Sequence, residues 1–163
     1  MRLNWVDLLC IGSVALFGAV QFLRSRTNFS QVLYETIAIC AAAFGATKLF
    51  MPLAELLEVS YVFTYIGLFV VFGSAGIFMA ATLNRAAAFG MGTFNYLLGL
   101  LLAVVCGWAA AHVLLRGVHI AYAIRNPDVI VAINRSWMAS QILRFGAFRE
   151  LLGVLRIARY NNI

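Results

Sequence analysis

Charge is the scarcest property of this chain. Of its 163 residues only 11% are charged and only six are acidic, whereas a water-soluble domain usually carries about a quarter charged residues. An ordinary soluble enzyme and a disordered polar tail are both excluded. Cysteine is nearly absent as well. Cys10, Cys40 and Cys106 fall singly in three apolar runs with no C-x-x-C pair, which excludes a secreted disulfide scaffold and favours membrane packing over redox or metal chemistry. Nucleotide loops are also missing: Gly90-Met-Gly92 lacks the third glycine and the preceding strand of a dinucleotide fingerprint, and no Walker-type loop occurs.

Apolar residues take the place of all these. They make up 64% of the chain, with a mean hydropathy of +0.94, and the chain reads as an all-α integral membrane protein. A bilayer core of roughly 30 Å needs about 20 mostly apolar residues per helix. Four stretches meet that length: Trp5 to Leu23, Val32 to Phe50, Tyr61 to Leu83 and Tyr96 to Leu115. Arg24, Arg26, Pro52, Glu55, Glu58, Asn84, Arg85 and Arg116 interrupt the runs. Trp5, Tyr34, Tyr61, Tyr65 and Tyr96 lie near the span ends, where an amphipathic ring sits at headgroup level. The first run has no small-residue cleavage pattern after it and reads as a retained anchor rather than a signal peptide. An even number of spans puts both termini on one side. Arg24 and Arg26 favour the first loop in the cytoplasm, while Lys48, Arg116, Arg125 and Arg135 pull the opposite way.

Lipid tails are as apolar as leucine, so membrane helices associate through close packing at small residues. Gly99, Ala103 and Gly107 make such a stripe in the fourth span, Ala38, Ala42 and Ala46 in the second, and Gly76 with Ala80 in the third. These are the expected helix-packing positions, within this chain or against a partner. Ser74, in the Gly73-Ser74-Ala75-Gly76 cluster, lacks the order expected around a nucleophile and reads as another small packing residue.

Ionisable residues at bilayer depth are expensive and usually functional. Asp7, Glu35 and Lys48 all lie near span ends, at depths from which a side chain reaches the interface. Glu35 reads as an interfacial acid favoured by the helix dipole, or as an intramembrane carboxylate if its helix starts earlier. His112 and His119 share a helix face but lie about 10 Å apart along the axis, too far to hold one metal ion. No cofactor, metal site or catalytic constellation is expected.

The positive charge is concentrated at one end. Residues 1 to 115 carry five basic and four acidic groups; residues 116 to 163 carry Arg116, Arg125, Arg135, Arg144, Arg149, Arg156 and Arg159 against Asp128 and Glu150, a net +5. Asn126-Pro127-Asp128 reads as a helix start, so one or two helices are expected between Pro127 and Tyr160, with a break near Gly146. On a helical wheel Leu143, Ala147, Leu151, Val154 and Ala158 share one side, with Arg149, Arg156 and Arg159 on the other. Such an amphipathic tail either lies in the interface with its arginines on anionic lipid phosphates or docks on a partner. Arginines spaced singly through an apolar segment do not suit nucleic acid.

Leu3-Asn4-Trp5-Val6-Asp7-Leu8, Met51-Pro52-Leu53-Ala54-Glu55-Leu56-Leu57 and Asn95-Tyr96-Leu97-Leu98-Gly99 together resemble the colicin V production protein family over residues 3 to 115. Arg24-Ser25-Arg26 and Glu35 approximate that family's charged step after the first helix; Phe22 and Ala103 stand where glycines are usual. The resemblance implies a four-span bacterial inner-membrane protein with an envelope-associated role, not an enzyme class. The expectation is therefore a non-catalytic scaffold or accessory factor, or alternatively a small structural subunit of a larger membrane complex. A channel or secondary transporter is opposed by the lack of charge at any span centre. Anionic lipids at the tail, other membrane subunits and self-association are the expected contacts.

Overall fold

The computed structural model describes residues 4–90, 92, 94–123 and 126–144, and all regular structure among them is helical. Four long helices, α1 (Trp5–Ser25), α2 (Phe29–Leu57), α3 (Tyr61–Ala86) and α4 (Phe94–Tyr122), are each long and apolar enough to cross a membrane. Two short ones, α5 (Pro127–Arg135) and α6 (Trp137–Arg144), follow them.

Two helices extend past the expected spans. α2 begins at Phe29 and passes through Pro52 to Leu57. The proline leaves the carbonyl of Lys48 without its helical donor, but Lys48 and Pro52 are both exposed, so the loss is tolerated there. The helix ends where Glu58 takes a left-handed conformation, φ 53°, with its N–H on Ala54 O and that of Val59 on the same carbonyl at 3.1 Å. This arrangement satisfies one late carbonyl of the helix twice over. α4 continues beyond Leu115 because no breaker intervenes before Asn126-Pro127.

The helices associate as two antiparallel pairs, α1 with α4 and α2 with α3, joined side by side through α2 and α4. In its most apolar window α4 is 39% buried and α3 only 11%, so α4 is central and α3 is a flank. Close approach explains the pairing. A Cβ on Gly107 would fall 2.5 Å from the Val14 carbonyl oxygen, and one on Gly76 would fall 2.8 Å from Ala38 Cβ. Glycine is required at both places, because any larger residue pushes the helices apart and forfeits dispersion along the whole seam.

The end of the bundle that carries the N-terminus of α1 is capped by α5 and α6. Pro127 occupies the first turn of α5 with Asp128 beside it, as the sequence leads one to expect. A break between α5 and α6 falls at Ser136, and the break expected near Gly146 lies outside the described residues. One apolar face of this hairpin packs on the bundle, where Ile133, Ala139 and Ile142 join Val6, Cys10, Ala111 and Leu115 in one core, while Val131 and Trp137 stay exposed.

Candidate functional site

The capped end holds the larger of two polar clusters. Asp7 is in the first turn of α1, and its carboxylate turns inward, not out to the interface as its depth suggested. Its Oδ1 accepts the Ser136 hydroxyl at 2.6 Å and the Met138 N–H at 3.3 Å, and its Oδ2 accepts the Asn4 N–H at 3.0 Å. Ser136 Oγ in turn accepts the Ala139 N–H at 3.0 Å, capping α6. A carboxylate at a helix N-terminus is favoured by the exposed N–H groups and the dipole; here it is delivered by another helix. Asn4 Nδ2 adds a bond to Ala132 O at 2.9 Å, tying α1 to α5 as well.

His112, one turn before Leu115 on α4, meets the opposite end of α6. Its Nδ1 lies 3.0 Å from Ile142 O, and since a carbonyl only accepts, this nitrogen carries the hydrogen. Nε2 lies 3.2 Å from Thr47 Oγ1 on α2. An acid, a serine and a histidine therefore gather at one end of the bundle. They do not form a nucleophilic relay, which needs the histidine on the serine hydroxyl: Ser136 gives its hydrogen to Asp7 and is buried, while His112 is engaged with Ile142 and Thr47. What the arrangement does chemically is hold α6 by both ends.

The second cluster joins α1 to α2 at the other end. Arg24 donates to Glu35 in fork geometry, Nη1 to Oε2 at 2.7 Å and Nη2 to Oε1 at 2.8 Å. Gln31 Nε2 donates to Oε1 at 2.8 Å, and Arg24 Nη1 also reaches Gln21 Oε1 at 3.2 Å. The Glu35 side chain is 5% exposed and Arg24 47%. The helix start at Phe29 puts Glu35 within the second turn of α2, where its side chain is buried against α1 and bonded by Arg24 and Gln31.

The small-residue positions occupy two seams. Gly99, Ala103 and Gly107 are buried along α1: a Cβ on Gly99 would collide with Ser25, and one on Gly18 would lie 3.2 Å from Ala103 O. Ala42, Ala46 and Ala80 are buried, and Ala38 faces Gly76. Ala38, Ala42, Gly76 and Ala80 also floor an open apolar groove of about 560 Å³ between α2 and α3, flanked by Phe72, Met79 and Leu83. Ser74 lies outside both seams and is exposed, contrary to its packing role. Tyr65 is likewise no headgroup anchor; it is fully buried against Ala46 and Phe50, whereas Trp5, Tyr61 and Tyr96 remain exposed.

The basic positions separate. Arg135 and Arg144 are exposed on α5 and α6. Arg116 leans over the Phe50 ring of α2, its Cζ 5.7 Å from the centroid. Arg125, Arg149, Arg156 and Arg159, with the wheel of Ala147, Leu151, Val154 and Ala158, lie outside the described residues. Among the described residues no three His, Cys, Asp or Glu side chains gather as a metal site. Ser136 and Thr47 were not singled out from sequence; the one local signal available was a serine three residues before the N–H it caps. Comparison with family models, curated proteins and solved structures gave no match.

Proposed function

We propose that this chain is a non-catalytic scaffold or accessory factor of a bacterial inner membrane, of the colicin V production type. The observation that carries the reading is that the buried ionisable side chains Asp7, Glu35 and His112 all bond to this chain's own helices. Groups that move protons or ions through a membrane line a cavity or path; these three instead brace helix to helix. A rigid bundle built this way presents surface rather than chemistry.

A second reading, a structural subunit of a larger complex, draws on the flank helix α3 and the apolar α2/α3 groove beside it. Native mass spectrometry of the full chain after mild solubilisation separates the two. Recovery alone or as a homo-oligomer supports the scaffold reading, and a fixed stoichiometric complex with another protein replaces it with the subunit reading. Ion or solute flux in proteoliposomes would overturn both.

A further inference from the structure

Arg26 stands where an apolar groove opens. Val14, Gly18 and Phe22 on α1 recur every four residues and meet Leu100, Ala103 and Val104 of α4 along a groove of about 290 Å³. The buried Gly18 and Ala103 make its floor, where a Cβ on Gly18 would lie 3.2 Å from Ala103 O. Arg26, in helical conformation just past the end of α1, follows Phe22 by four residues, and Tyr96 precedes Leu100 by four, so both continue these stripes beyond the groove. There they come together: Arg26 Cζ lies 4.9 Å from the Phe22 ring centroid and 5.7 Å from that of Tyr96. Both Arg26 and Tyr96 are exposed.

The dimensions of the groove select its occupant. It runs from Val14, near the middle of α1, to Phe22, near its end, a length of about 12 Å. That fits within the ~15 Å that one leaflet contributes to a bilayer core. Its mean cross-section is about 24 Å², room for a single hydrocarbon chain about 4–5 Å across at carbon contact distances. A helix about 10 Å wide does not enter it. Charge then selects the headgroup. The described acidic and basic side chains at this end of the bundle are Arg24, Arg26, Glu35 and Arg85, and Glu35 is taken by Arg24 in the only ion pair among the described residues. No described carboxylate neutralises Arg26. Its contacts with rings leave the guanidinium fork available for two oxygens of one phosphate, and a tyrosine at headgroup level offers a hydroxyl beside it. A phospholipid carries its phosphate directly above its own chains, as the groove and its mouth require.

We infer that the α1/α4 groove seats one acyl chain of an anionic phospholipid in the leaflet on the side of the α1–α2 loop, with its phosphate on Arg26 and the Tyr96 hydroxyl. The inference places a lipid contact at the end of the bundle opposite the basic tail. It rests on the multi-pass reading but is independent of the scaffold role. It differs from diffuse attraction because chain and headgroup are read by separate residues, while the exposed Arg85 contributes only background charge.

The test is native mass spectrometry of the detergent-solubilised full chain titrated with phosphatidylglycerol, phosphatidylcholine or inorganic phosphate. Protein stoichiometry, which decides the scaffold reading, and lipid adducts, which decide this one, are separate readouts of the same spectra. The first phosphatidylglycerol should bind in preference to phosphatidylcholine, whose choline offsets the phosphate charge. Arg26→Gln should weaken that first site about tenfold, the loss of a charge-assisted bond. Tyr96→Phe deletes one oxygen from an exposed ring, should weaken the site about threefold, and guards against a folding artefact. Ala19→Leu fills the groove from its exposed rim and should weaken phosphatidylglycerol and phosphatidylcholine alike, by about tenfold. Arg85→Gln should leave the site unchanged. Equal weakening by Arg26→Gln and Arg85→Gln would overturn the inference in favour of diffuse attraction, and wild-type lipid binding by Ala19→Leu would overturn the seating of the chain. Inorganic phosphate bound as tightly as phosphatidylglycerol, or a second copy of the chain lost specifically on Ala19→Leu, would also overturn it.

Discussion

Ser136 donates its hydroxyl hydrogen to the Asp7 carboxylate across 2.6 Å, joining two residues 129 positions apart in the chain. With His112 on the Ile142 carbonyl at 3.0 Å, the bond places an acid at one end of α6 and a ring N–H donor at the other, each matched to the unsatisfied backbone groups there. The short helix has too few residues to be stable alone, so its order depends on these two anchors and on the apolar face between them.

Removing the acid should therefore undo the cap. Asp7→Ala leaves the Ser136 hydroxyl and the Met138 and Asn4 N–H groups without their acceptor, at a cost of about 2–4 kcal/mol. Ser136→Ala should cost about 1–2 kcal/mol, since it loses the bond to Asp7 and the cap of α6 together. Thermal melting in detergent measures both, and an Asp7→Ala variant as stable as wild type would refute the clasp.

Loss of His112 acts from the opposite end. His112→Ala should accelerate amide hydrogen exchange throughout α6, not merely in its last turn, because the helix is held at two points and cooperates between them. Exchange confined to residues beside Ile142 would show that the Asp7 end suffices.

The α1/α4 seam makes a sharper steric prediction. Gly107→Ala forces a Cβ to within 2.5 Å of Val14 O and should destabilise by about 1–3 kcal/mol through overpacking. A Cβ on Gly12 or Gly67 meets nothing within 4 Å, so alanine there should be neutral or stabilise by about 0.5–1 kcal/mol through helix propensity. The comparison is internal to one set of melts, and equal effects at the three glycines would count against the seam.

The Arg24 and Glu35 pair should behave asymmetrically. Arg24→Gln strands a buried carboxylate and should cost about 2–3 kcal/mol, below the usual range for a fully buried pair because Arg24 is half exposed. Glu35→Gln should cost less, since an amide oxygen still accepts from Gln31. A double-mutant cycle should return a coupling above about 1 kcal/mol, and a coupling near zero would make the pair incidental.

The four spans were legible because their signal is local: an apolar run of bilayer length declares itself without reference to any partner. The packing stripes were legible for a related reason, since small residues four apart must share a helix face. What position along a span could not disclose is which way a side chain turns. Asp7 and Tyr65 both lie where the interface is within reach, yet both turn inward, Asp7 toward a helix more than a hundred residues away and Tyr65 into the crevice between α2 and α4. Glu35 depended on where α2 starts, and the Phe29 start is reinforced by contacts such as Ser30 Oγ donating to Asn84 Oδ1 at 2.5 Å and the Phe29 ring against Phe89. Both contacts are distant in sequence. The break at Ser136 was local after all, but its serine acts as a cap only because Asp7 holds its hydrogen and leaves its oxygen free for Ala139.

The clasp also sets an order of events during synthesis. Asp7 belongs to the first transmembrane helix, while the hydroxyl and N–H groups that receive it on α6 are translated last among the described helices. Until that segment emerges, the young bundle carries an acid at its rim with its bonds to α6 unmade, although the α1/α4 seam needs nothing from α6. Closure of the cap is thus a late assembly step, which waits on a segment made after all four long helices.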